Sequence, residues 1–135
     1  MKTITVIVAR LIFAFAFAQA AAFKFVLVGI DATAAQIAAK GFPFPLLLAW
    51  IAAFFEVALA IAFLPGLFFG GAPIAAAAYV LFLGLVFYGP GQWSGDLMAY
   101  GMFINHLVFV AGLFFASVHG PGEAMVLRPR RILND

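Results

Sequence analysis

The stretch AWIAAFFEVALAIAF, residues 49–63, places one charged residue, Glu56, between seven apolar residues on either side. Burying an ionised carboxylate in such surroundings is costly unless another group answers its charge. The run also has a pattern. With roughly 100° of rotation per residue, Ala49, Ala52, Ala53, Glu56 and Ala60 fall on one helical face. Faces of small residues are where helices approach one another inside membranes. The stretch therefore reads as a membrane-spanning helix with Glu56 turned toward protein rather than lipid, and its neighbours must supply the counter-charge.

The rest of the chain agrees with that class. Of 135 residues, 67% are hydrophobic and 9% charged, and the mean hydropathy is +1.20. Soluble domains are about half apolar and roughly a quarter charged. A spanning helix takes roughly 20 residues, so the length admits about four spans and leaves no room for a soluble catalytic module. Without cysteine there is no disulfide framework, thiolate metal site or iron–sulfur ligand set. The net charge of +2 is not gathered into the basic, aromatic-flanked patch that nucleic acid requires.

Four runs are predicted as spans, at about residues 4–30, 46–64, 67–88 and 97–118. The N-terminal run resembles a signal peptide in its Lys2 and its AQA triplet, but Arg10 interrupts the apolar core that such a peptide needs. It is read as a retained first span. In the connection DATAAQIAAKGFPFP, the alanine-rich middle predicts a short interfacial helix. Pro65-Gly66 predicts a tight turn, so that spans two and three form an antiparallel hairpin. Pro73 either kinks span three or marks its start. The flanking cations are Lys2 at the N-terminus and Arg128, Arg130 and Arg131 in the tail, against Lys40 in the first connection and none in the loop GPGQWSGD. By the positive-inside rule both termini are cytoplasmic, so the expected fold is an all-α, four-transmembrane-helix bundle forming one integral-membrane domain with a cytoplasmic tail over 119–135.

The ionisable residues within the spans are the candidate functional groups. Arg10 and Glu56 fall at similar depth on antiparallel neighbours, so an intramembrane ion pair Arg10–Glu56 is expected. Arg10, Ala14, Phe17, Ala21 and Lys24 share a face of span one. Lys24 is expected either to snorkel to the headgroups or to answer Asp96. In span four, Gly101, Asn105, Gly112 and Ala116 form one seam, with Asn105 as interhelical glue. His106, one step around, can bond a quinone carbonyl or relay a proton, or simply be satisfied by a neighbouring polar group. With Asn105 and Trp93 it makes a candidate quinone-binding set. Trp93 and Tyr100 otherwise read as interface anchors. His119 is too far along the helix to pair with His106 at a haem, and no second clustered ligand supports a metal. No nucleophile elbow or phosphate-cradling loop is present, and no residue is assigned as catalytic.

Three motifs together resemble the DoxX family of small four-span bacterial membrane proteins. They are RLIFAFAFAQAAAFK, from Arg10 to Lys24; GFPFPLLLAWIAAFFE, with Gly41, Pro43, Pro45, Ala49 and Glu56; and the GPG at Gly120–Gly122. The resemblance implies a multi-pass protein of the bacterial cytoplasmic (inner) membrane. It also implies a link to quinone-dependent sulfur oxidation or to membrane redox assemblies. The leading expectation is an accessory subunit of a larger membrane complex, respiratory or electron-transferring, with no redox centre of its own. The alternatives are a quinone-binding subunit or small quinone-linked oxidoreductase, and a small transporter built around the charged pair. The expected partners are lipids and other membrane subunits, not nucleic acid. The expected small molecule is a quinone, with no metal and no covalent cofactor.

Overall fold

In the computed structural model, residues 2–127 are described; Arg128, Arg130 and Arg131, on which part of the orientation reading rests, lie outside them. The elements are α1 (Lys2–Ala22), a π-helical turn (Phe23–Leu27), α2 (Ile30–Ala39), α3 (Pro45–Phe63), α4 (Ala72–Tyr88), a 3-10 turn (Pro90–Gln92) and α5 (Leu97–His119). The described residues contain no strand. Four helices are long and apolar enough to cross a membrane: Lys2–Leu27, Pro45–Phe63, Ala72–Gln92 and Leu97–His119.

The helix ends follow local chemistry. The first helix closes with a wide turn, in which the Val28 amide donates to the Phe23 carbonyl at 2.8 Å, and breaks at Gly29. Thus Ile30 opens α2 instead of ending the first span. Phe44 adopts a left-handed conformation and Pro45 sits in the first turn of α3, where its missing N–H costs nothing. Span three begins later than the apolar run suggests. Residues 64–71 run through turns, and Pro73 lies in the first turn of α4, so it marks the start and not a kink. The turn is tight for a specific reason. Gly66 has φ 72°, and a Cβ there would lie 2.9 Å from the Cβ of Pro121 and 3.3 Å from Cζ of Arg10. At α5, the Asp96 carboxylate accepts from the Met98 and Ala99 amides at 3.0 and 3.1 Å, capping the helix.

The spans assemble as two pairs. α1 packs along α3, with α2 laid across α3, and α4 packs along α5. On α1 the buried residues are Arg10, Ala14, Phe17 and Ala21, and on α3 they include Ala49, Ala53 and Glu56. The faces deduced from helical phase are therefore the packed ones. In the second pair, a Cβ on Gly84 would lie 3.0 Å from the Cβ of His106, so glycine permits that crossing. Close approach of backbones maximises dispersion contacts, which drive helix association where lipid tails are as apolar as the side chains. Although spans two and three are joined by a turn, α3 and α4 touch little.

Phenylalanine joins the pairs. Phe13 and Phe17 of α1 each meet both Phe63 of α3 and Phe109 of α5, with ring centroids 5.2–5.7 Å apart. Phe69 closes the cluster edge-on against Phe63 at 5.4 Å. Each such pair contributes about 0.5–1.5 kcal/mol beyond its area. Outside, large apolar side chains such as Phe15, Val26, Phe115 and Val118 are exposed, an arrangement suited to lipid.

Candidate functional site

Glu56 is 1% exposed and accepts three hydrogen bonds. Two come from the Lys24 ammonium, at 2.7 and 2.8 Å to its two oxygens, and one from the Tyr79 hydroxyl at 2.8 Å. The expected Arg10–Glu56 pair is thus corrected to Lys24–Glu56, the ion pair found among the described residues. The reason lies in side-chain direction. Every Cα–Cβ bond in a helix leans toward that helix's N-terminus. Because α1 and α3 run antiparallel, Lys24 leans back along α1 while Glu56 leans the opposite way, and the two converge. Arg10 lies beyond Glu56 on the other side and leans away from it.

Arg10 is also buried, 3% exposed, but it is answered by carbonyls. Its Nε donates to Phe63 at 3.3 Å, Nη1 to Pro121 and Ala124 at 3.2 and 3.0 Å, and Nη2 to Leu64 and Met125 at 2.6 and 2.8 Å. A guanidinium has five N–H donors, and all five are used. Two acceptors belong to the C-terminal end of α3, where unpaired carbonyls and the negative end of the helix dipole favour a cation. The other three belong to the segment after α5, which is also tied to the turn by the Leu127 amide donating to Pro65 at 3.0 Å.

Lys24 and Tyr79 open onto a cavity of about 420 Å³ between the two helix pairs, roofed by α2 and also lined by His106. Its walls are mainly aliphatic and aromatic, among them Ile51, Phe55, Phe82 and Phe87, with Thr33 and Gln36 from α2. Small-molecule sites have this composition, an apolar shell with a few polar groups, and volumes of about 300–1,000 Å³. The polar groups are pre-set. Two of the three Lys24 N–H groups serve Glu56, leaving one donor. The Tyr79 proton goes to Glu56, leaving the phenol oxygen as an acceptor. His106 Nδ1 lies 2.7 Å from the Met102 carbonyl; because a carbonyl only accepts, Nδ1 carries the proton and Nε2 is left for another partner.

The quinone-binding trio expected from sequence does not converge. His106 lines the cavity, whereas Trp93 donates from Nε1 to the Tyr88 carbonyl at 2.8 Å and packs on Tyr100 and Phe103. Asn105 is exposed on the outer side of α5 and makes no hydrogen bond with its side chain among the described residues, so it is not glue within this chain. Asp96 caps α5 and does not meet Lys24.

Tyr79 was the residue that charge-based reading passed over. Its signal is a phenol in the middle of a span, preceded by AAAA, since a buried Tyr hydroxyl requires a partner. Comparison of the chain with protein-family models, with curated proteins and with solved structures found no match.

Proposed function

We propose that the chain is a DoxX-like, multi-pass protein of the bacterial inner membrane, both termini cytoplasmic, that binds a quinone in the cavity between its helix pairs. The observation that carries this reading is the cavity's polar complement. Lys24, with one N–H not used by Glu56, Tyr79, with its oxygen free to accept, and His106, with Nε2 unprotonated, line a mostly apolar chamber together with Thr33 and Gln36. A ring bearing carbonyl or hydroxyl oxygens matches that set. A carbonyl takes the Lys24 proton donor, and a quinol hydroxyl donates to Nε2 of His106. The apolar walls suit the ring faces and the first units of an isoprenoid tail. Because Glu56 holds Lys24 and Tyr79 together, it acts as a positioning residue. The test is quinone per chain after purification in mild detergent, together with titration of a short-tailed quinone. His106→Ala should weaken binding about tenfold, the equivalent of one hydrogen bond in an apolar site. Equal quinone content in the wild type and His106→Ala would sink the assignment.

The accessory-subunit reading is compatible and has its own support. Asn105 presents an unpaired amide from the exposed face of α5, and in hydrocarbon a polar side chain is best satisfied by another helix. Partner chains that co-purify with the wild type and are lost on Asn105→Leu would support this; a solitary, quinone-loaded chain would exclude it.

A further inference from the structure

A second cavity, of about 530 Å³, opens between α1 and α5 at the end of the bundle that carries Lys2 and His119. Its origin is geometric. Although Phe13 and Phe17 bridge the two helices to Phe109, no Cα of α1 comes within 8 Å of one in α5. Gly112 of α5 seats the tip of the Phe13 ring, 3.4 Å from where a Cβ would lie; beyond it the facing residues are small, Ala9 on α1 and Ala116 on α5, and a slot is left. Its inner walls are apolar, with Phe69 and Phe115 prominent, while its outer end carries Lys2, Arg10 and His119.

Among the described residues no carboxylate answers the charge at that outer end. Five carbonyls satisfy the hydrogen bonds of Arg10, but a carbonyl carries no formal charge, so the guanidinium remains a buried cation. No carboxylate pairs with Arg10 or Lys2 among the described residues. The acid closest in sequence to His119, Glu123, is exposed and does not line the slot. A greasy slot whose mouth is cationic, at the end of a bundle with an apolar exterior, matches one chemistry in a membrane. That chemistry is an acyl chain attached to a phosphate. Basic pockets between membrane helices at the headgroup level hold anionic lipids in this way.

We propose that the α1–α5 groove binds one anionic phospholipid, with an acyl chain along Ala9, Phe13, Gly112 and Phe115 and its phosphate against Lys2 and His119 in the positive field of Arg10. The site rests on membrane embedding and is independent of the quinone cavity. It is tested by reconstituting the full chain into bilayers of equal phosphatidylglycerol and phosphatidylcholine with identical acyl chains. The lipids kept after transfer to mild detergent are then counted by native mass spectrometry.

The wild type should keep one phosphatidylglycerol in preference to phosphatidylcholine. Lys2→Gln should reduce that preference by about fivefold, the weight of one cation near an anionic surface. Ala9→Phe, at an exposed position inside the groove, should fill the slot and abolish retention of either lipid while the protein stays folded. His106→Ala should leave lipid retention unchanged, which separates this site from the quinone cavity. Equal retention of both lipids by the wild type, or undiminished phosphatidylglycerol on Ala9→Phe, overturns the proposal.

Discussion

Arg10 and Lys24 lie on one face of the same helix, yet the protein answers them in opposite ways. Lys24 meets a carboxylate, whereas Arg10 meets five carbonyls. The difference follows from the two side chains. A guanidinium is a rigid planar fork whose donors point in several directions, so it can gather a helix end, a turn and a tail at once. An ammonium is a compact point charge, best matched by one anion. Consequently Arg10 holds chain segments together at one end of the bundle. Lys24 forms part of a charged group beside a cavity, with a donor to spare.

The largest expected effect breaks the Arg10 side of this comparison. Arg10→Met removes five hydrogen bonds from a charged donor, at about 1.5–3 kcal/mol each; of the five acceptors, the Phe63 carbonyl keeps the Gly66 amide as a second partner. Thermal unfolding in detergent should show a loss of more than about 4 kcal/mol on that basis, and the segment from Pro121 to Leu127 should become protease-sensitive. Arg10→Lys keeps the charge but has only three donors, so it should recover part of the loss and not all. If Arg10→Lys matched the wild type, charge rather than the donor fork would explain the site.

Next in size is the Lys24 side. Glu56→Gln strands a mostly buried ammonium, and breaking a buried pair costs about 3–5 kcal/mol. The double variant Lys24→Met/Glu56→Leu removes both charges and should regain most of that stability, because well-packed apolar replacements of ion pairs are often neutral. A double-mutant cycle sharpens the contrast. Lys24 and Glu56 should couple strongly, while Arg10 and Glu56 should be additive within about 0.5 kcal/mol. Strong coupling between Arg10 and Glu56 would restore the pairing first suggested by depth.

That mistaken pairing shows what could and could not be read from the chain. The four spans, the inward face of α3 and the face of α1 that carries Arg10 all follow from composition and a 3.6-residue period, and the two faces reappear as the buried sets. Similar depth, together with those inward faces, made Arg10 the partner of Glu56. The tilt of Cβ toward each helix's N-terminus decides the matter, and it is available without coordinates. Other features were not legible. Carbonyl acceptors leave no mark in a sequence, since every residue has one. The cavity depends on the small contact between α3 and α4 and on α2 lying over α3, a matter of tertiary geometry. Asn105 was assigned to a seam by spacing, but which side of α5 meets its neighbours is fixed by the Gly84–His106 crossing.

Tyr79→Phe tests how far the charged group extends. It removes one hydrogen bond to a carboxylate, worth about 1.5–3 kcal/mol, and leaves the ring to pack edge-on against Phe55, 5.1 Å away. The stability loss should therefore fall below that of Glu56→Gln. In the Lys24→Met/Glu56→Leu background it should vanish or reverse, because the hydroxyl has then lost its acceptor. An unchanged loss in that background would mean that the phenol serves a partner other than Glu56.

The smallest effect concerns the other acid once considered for Lys24. Asp96 spends one carboxylate oxygen on the Met98 and Ala99 amides, so Asp96→Ala should cost about 1 kcal/mol, as for other helix caps. Asp96→Asn and Asp96→Ser, which can also accept from those amides, should cost only a fraction of this. The loss should be the same whether residue 24 is Lys or Met, because a cap acts on its own helix and not on a distant cation. A loss that shrank on Lys24→Met would tie Asp96 electrostatically to Lys24. The two acids would then share one cation, and the sharp division between a carboxylate that pairs across helices and one that ends a helix would not hold.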